Sequence, residues 1–155
     1  MTIRRSLRCL LLLGSLIAPT LATAQTLSPI EQRLTTWIDG HVTEAQQLLE
    51  RVAAMNSGTM NFEGVREVGR VFEAELSALG FRTRWVPGTA FDRADHLFAE
   101  RDGTGPRLLL IGHLDTVFGP DSPFQTVERV DASTMKGPGV ADMKGGLVVL
   151  LHALK

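Results

Sequence analysis

The sequence predicts an α/β domain: a layered sheet with flanking helices. Three observations point there. Apolar residues recur at steps of three and four in several segments, as one face of a helix requires. Residues 81–86 alternate apolar and polar, the period of a half-buried strand. Leu108, Leu109, Leu110 and Ile111 form an unbroken apolar run, which suits a central strand covered on both faces.

Ile30, Leu34, Trp37, Ile38 and His41 follow helical spacing, with Ser28 placed to cap the start and Pro29 at the first position. Thr43 and Gln46 resemble a capping box, so a second helix is expected with the stripe Ala45, Leu48, Leu49 and Val52. Ser57-Gly58-Thr59 breaks the pattern. A third helix carries Val65, Val68, Phe72, Leu76 and Leu79 on one face, with Asn61 as cap. Gly80 suits the left-handed position past its end. Phe81, Thr83 and Trp85 then face one side of a strand and Arg82 and Arg84 the other. Pro87-Gly88 turns the chain, Asp95 to Glu100 is a further strand, and Asp102-Gly103 is a turn signal able to close a hairpin. After the run 108–111, a glycine-rich loop over 139–146 enters a final helix with Leu147, Leu150, Leu151 and Leu154. Neither internal repeats nor low-complexity tracts interrupt this order.

Residues 1–24 read as a secretory signal peptide rather than as fold. Arg4, Arg5 and Arg8 form a positive start, Leu10–Leu13 with Leu16 and Ile17 a short apolar core, and Ala22-Thr23-Ala24 a cleavage site before Gln25. Pro19 interrupts the apolar run, which is short for a membrane span of ~20 residues. The expected location is therefore exported, periplasmic or secreted, with no membrane attachment after cleavage. Residues 25–155 form the remaining unit. Cys9 is the single cysteine and lies in the leader, so disulfides, thiolate metal sites and cysteine nucleophiles are excluded from the exported part. The leader holds three of the 16 basic residues and no acid. That leaves 13 basic against 17 acidic residues, a net charge of −4. With no basic block, nucleic acid is not an expected partner.

The residues suited to chemistry follow the buried run. His113 and Asp115 stand two apart, and such residues project to the same side of an extended segment. The Asp115 carboxylate can then take a proton from one ring nitrogen of His113, which fixes the tautomer and frees the other nitrogen for a metal. The carboxyl end of a central strand is also where open α/β sheets place ligands. Alone, a His-x-Asp pair is a weak signal, and an ordinary hydrogen-bonded histidine beside a solvated carboxylate is its favoured reading. Asp142 lies among Gly137, Gly139, Gly145 and Gly146, more glycine than a helix cap needs. A dinucleotide-binding loop fits poorly, because G-x-G-x-x-G is not satisfied and Pro138 sits inside the turn. Lys144 reads as a surface lysine in the first turn of the helix. Glu128 and Asp131 read as surface residues.

Residues 110–117, Leu-Ile-Gly-His-Leu-Asp-Thr-Val, and 137–146, Gly-Pro-Gly-Val-Ala-Asp-Met-Lys-Gly-Gly, together resemble the M20 family of zinc peptidases. Residues 57–64, Ser-Gly-Thr-Met-Asn-Phe-Glu-Gly, with Leu79-Gly80-Phe81, resemble its glutamate carboxypeptidase branch. The resemblance covers nearly all of residues 25–155. It implies a zinc-exopeptidase-like catalytic domain with two Zn2+, other divalent ions being alternatives. His113 would bind one zinc, Asp142 would bridge both, and Asp115 would orient the His113 ring. It further implies a cis peptide bond at Asp142–Met143. Many members carry a second Asp where this chain has Met143.

The implied reaction is metal-assisted hydrolysis of a peptide or amide bond. Two metals lower the pKa of a bridging water and polarise the scissile carbonyl. In the family, a Glu-Glu pair downstream supplies the general base. A further carboxylate and a late His complete the metal shell, and a lid domain mediates dimerisation. None of these has a match between Asp142 and Lys155, so an N-terminal portion of the catalytic domain, inactive alone, is expected. Carboxypeptidase action that releases a C-terminal residue such as glutamate is the leading expectation. Deacylation of N-acyl amino acids, or a secreted α/β binding protein without chemistry, are the alternatives. The expected partner is accordingly a small peptide or N-acyl amino acid.

Overall fold

A computed structural model describes residues 26–155 of the chain. The leader expected over residues 1–24 lies outside the described residues. Three helices, a hairpin and a short ribbon make a mixed α/β arrangement.

Helix α1 spans Pro29–Ala53. Ser28 and Glu31 form a reciprocal capping box: Glu31 N donates to Ser28 Oγ at 3.3 Å, and Ser28 N to Glu31 Oε2 at 2.7 Å. The two helices expected here are one. Thr43 and Gln46 lie in its interior and cap nothing. Gly40 weakens a helix by only about 1 kcal/mol, too little to break it without proline. Across that point Trp37 stacks on His41 at 3.9 Å, and His41 Nδ1 is 2.7 Å from the Trp37 carbonyl.

Helix α2 spans Phe62–Ala78, capped by the Asn61 side chain, which accepts from Gly64 N. Gly80 follows it at φ +81°, where a glycine carries no Cβ penalty. Helix α3 spans Lys144–Leu154. The apolar faces of the three helices meet in one core of Leu48, Val52, Val68, Val71, Phe72, Val148 and Leu151. Leu49, Leu76, Leu79 and Leu147 pack around it.

Strand β1, Arg82–Val86, pairs antiparallel with β2, His96–Glu100, in the register Arg82↔Glu100 to Val86↔His96. Their connection is Pro87–Asp95, not the Asp102-Gly103 turn expected to close a hairpin. Asp95 closes that connection by accepting from Gly88 N at 3.2 Å. Asp102 instead accepts from Arg82 Nη1 at 2.8 Å. A two-residue ribbon of β3, Glu128–Arg129, and β4, Met135–Lys136, follows. Glu128 and Asp131 are exposed, as expected of surface residues.

The run Leu108–Ile111 departs most from expectation. It is not a covered central strand: Leu108, Leu109 and Ile111 are 85, 82 and 79% exposed. A strand exists only through its ladder partners, and no described strand pairs with it on either side. Only further along does the chain pair, through a parallel bridge between Gly58 and Thr116.

Asp95 also receives the Arg66 guanidinium at 2.9 Å. The Arg66 bond and then the Gly88 amide hold its carboxyl below the usual range. A depressed carboxyl contributes stability above its ordinary pKa and loses it as pH falls through the folded value. Asp95→Asn should therefore be destabilising at neutral pH, with the gap to wild type closing below about pH 4. Denaturant midpoints at pH 7 and pH 3 check this. A gap independent of pH would reject the pairing.

Candidate metal centre

The Gly58–Thr116 bridge positions the site. Thr116 N donates to Ser57 O at 2.8 Å, and Thr59 N to Thr116 O at 2.9 Å. Ser57 is buried, and its hydroxyl donates to Leu114 O at 3.0 Å. These bonds tie residues 57–59 to the segment carrying His113 and Asp115.

His113 and Asp115 lie together as the alternation predicts. His113 Nδ1 is 3.0 Å from the Asp115 carbonyl and 3.2 Å from its carboxylate. His113 Nε2 points the other way and meets Asp142 Oδ1 at 2.9 Å, closing a separation of 29 residues. Thr59 extends the chain of contacts: its hydroxyl donates to Asp115 Oδ2 at 2.5 Å. The Ser57-Gly58-Thr59 stretch carried a family resemblance but no assigned role, since nothing in a sequence places it beside a residue 56 positions away.

Asp142 precedes α3 on the loop 137–143, and the Asp142–Met143 peptide is cis, as the resemblance implies. Met143, in place of a second carboxylate, accepts from His113 N through its sulfur at 3.3 Å. Gly139 lies at φ +76° where a Cβ would come within 2.9 Å of both Lys144 and Thr116. Lys144 is not a surface residue: it is wholly buried and its ammonium donates to Met55 O at 2.7 Å. Burial pushes it down to about 8. Its local sequence resembles any exposed first helical turn, so only the packing of α1 on α3 reveals the contact.

Both ring nitrogens of His113 face oxygen acceptors. Partial burial lowers its pKa, but the Asp142 bond, the Asp115 carbonyl and the two carboxylate charges outweigh burial and leave it raised. A neutral ring fixed by Asp115 at Nδ1 turns a lone pair on Nε2 toward Asp142 Oδ1. Two lone pairs 2.9 Å apart need a proton or a cation between them. The donor types suit zinc, and the spacing is slightly inside the ~3.3 Å edge of a tetrahedron with bonds of ~2.0–2.1 Å. The residues fit one edge of a metal shell. Among the described residues, no group of three or more His, Cys, Asp and Glu side chains is arranged to hold an ion.

A pocket of about 490 Å³ opens at this pair, lined by His113, Asp115 and Asp142 and walled by Phe118, Phe124 and Val140. Pockets of ~300–1,000 Å³ with few polar groups are typical of small-ligand sites.

The site thus brings an imidazole, steered by one carboxylate toward another, to the mouth of a pocket. Residues 109–155 match peptidase family M20/M25/M40. Carboxypeptidase G2 of Pseudomonas sp. is 36% identical over 108 residues, 69% of this chain and 26% of that protein. Succinyl-diaminopimelate desuccinylase of Rhodospirillum rubrum is 41% identical over 90 residues, 54% of this chain and 22% of that protein. The enzyme of the same name from Leptothrix cholodnii is 37% identical over 117 residues, 70% of this chain and 29% of that protein. The chain thus spans about a quarter of the length of the curated relatives it matches.

Proposed function

We propose that these residues supply part of a two-zinc site that hydrolyses a peptide or amide bond, in carboxypeptidase fashion, releasing a C-terminal residue such as glutamate. The observation that carries this is the approach of His113 Nε2 to Asp142 Oδ1, with Asp115 behind Nδ1. When bound, the metals would activate water and polarise the scissile carbonyl. His113 would hold one of them, Asp142 would serve as a ligand to both, and Asp115 would keep the ring oriented. By the resemblance, the remaining ligands and the general base would lie beyond the stretch matched here, which spans about a quarter of the relatives. Dimerisation belongs to that outside part as well.

Deacylation of an N-acyl amino acid is the second reading, favoured by the likeness to the desuccinylases. The two differ in which side of the amide carries the recognised group.

The leader pattern supports export, with the mature protein beginning at Gln25. The complete polypeptide, purified from the exported fraction and sequenced from its N-terminus, serves for the functional test. Chelation should abolish hydrolysis, and zinc should restore it. C-terminal glutamyl peptides should turn over faster than N-succinyl and N-acetyl amino acids. The reverse order would select deacylation, and hydrolysis indifferent to chelation would refute a metal enzyme.

A further inference from the structure

A lysine at the first position of a helix meets the positive end of the helix dipole, an unfavourable place for a cation. Lys144 occupies that position on α3, yet its side chain turns away and is wholly buried. Its ammonium reaches Met55 O at 2.7 Å, two residues past the end of α1. The carbonyl end of a 25-residue helix is the negative pole, and the Lys144 cation sits just beyond it, bonded to the turn that follows α1.

The same residue holds the loop that carries Asp142. Lys144 N donates to Gly139 O at 2.8 Å, closing that loop. The lysine stem packs against Gly139 so closely that a Cβ there would lie 2.9 Å from Lys144 Cδ. The methyl of Thr116 is equally near, and Thr116 is already fixed to Ser57 and Thr59. The Lys144 stem and the Thr116 methyl therefore both close on Gly139 of the 137–143 loop, while the Lys144 ammonium reaches the turn after α1. Asp142 cannot place itself. Its side chain is 84% exposed, and among the described residues His113 is its one hydrogen-bond partner.

We propose that Lys144 is the positioning residue of the site, fixing the loop 137–143 against α1 so that Asp142 stands beside His113. This rests on reading His113 and Asp142 as metal ligands. The lysine touches neither metal nor substrate. Its effect is on where one ligand stands relative to the other.

The test uses the complete polypeptide and the variant Lys144→Met, which keeps the bulk of the stem and removes the cation. Zinc affinity is measured by chelator competition well below the melting temperature, and the visible spectrum is recorded with cobalt(II) in place of zinc. Lys144→Met should bind zinc roughly 10–100-fold more weakly, the range for residues that orient ligands, and its cobalt spectrum should shift. A lower melting temperature with unchanged zinc affinity and spectrum would reduce Lys144 to a structural residue and overturn the proposal. If Lys144→Met does not fold, Lys144→Gln serves. It keeps a donor too short to reach Met55 O without moving the loop, and it should show the same weakening. Wild-type affinity in Lys144→Gln overturns the proposal. Should wild type itself bind no zinc, the metal reading fails, and the ring 15N signals of His113 in metal-free protein decide the rest. A signal changed in the variant supports positioning of Asp142, and an identical one rejects it.

Discussion

Replacing Asp142 or His113 by alanine in the complete enzyme should lower activity by roughly 10³-fold or more. The contribution at stake is the several kcal/mol of charge stabilisation that metals supply at the transition state, and each 1.4 kcal/mol is a factor of ten. Asp142 should be the more severe, because in the proposed site its carboxylate would serve both ions. Zinc content separates this from unfolding: Asp142→Ala should retain fewer ions per protein while keeping its melting transition. Asp115→Ala removes the carboxylate 3.2 Å from Nδ1 and leaves the Asp115 carbonyl at 3.0 Å, so metal affinity should fall by about 10–100-fold at most and activity should recover at high zinc. Thr59→Val should be milder still, because it leaves the Asp115 carboxylate in place without the hydroxyl that accompanies it at 2.5 Å. Equal zinc content in wild type and Asp142→Ala would remove the bridging role.

The second large effect concerns residues 25–155 expressed alone. They should not hydrolyse peptides, should bind zinc weakly, and should self-associate. A catalytic zinc site normally has three protein ligands and an open water position. In the proposed site His113 and Asp142 would provide only two donors for two cations, and no described group of three is arranged to hold an ion. Association follows from Leu108, Leu109 and Ile111, which stand 79–85% exposed within one four-residue apolar run. An apolar segment with unpaired backbone groups is a template for another chain. Calorimetric titration with zinc, size-exclusion chromatography and an assay on glutamyl peptides and N-acyl amino acids form the check. A soluble monomer with stoichiometric tight zinc and turnover would show that the site is complete within these residues.

Features set by neighbours in the chain were legible without coordinates. Asn61 and Gly80 bracket α2 because a cap needs one side-chain oxygen and a left-handed exit needs no Cβ. The alternation over 82–86 became β1, and the stripe Val65, Val68 and Phe72 became core, because periodicity is a property of local geometry. His113 and Asp115 lie on one side for the same reason. Asp142 was legible only through its family resemblance, since local rules alone would have made it a helix cap.

What local rules misjudged depended on residues far away in the chain. Thr43 and Gln46 match a capping box, but nothing ended the preceding helix, so α1 runs through them. The apolar run 108–111 states a need for cover, while the strands that would supply it are set by other parts of a polypeptide. The sequence by itself determined α2, α3, the hairpin strands and the His-x-Asp pair. Only the tertiary structure decided that Thr59 reaches Asp115, that Asp142 meets His113 and that Lys144 is buried against Met55. Those contacts span 56, 29 and 89 residues, and no short-range energy encodes them. They arise when the faces of α1, α2 and α3 bury their apolar side chains together and carry the attached polar groups into reach.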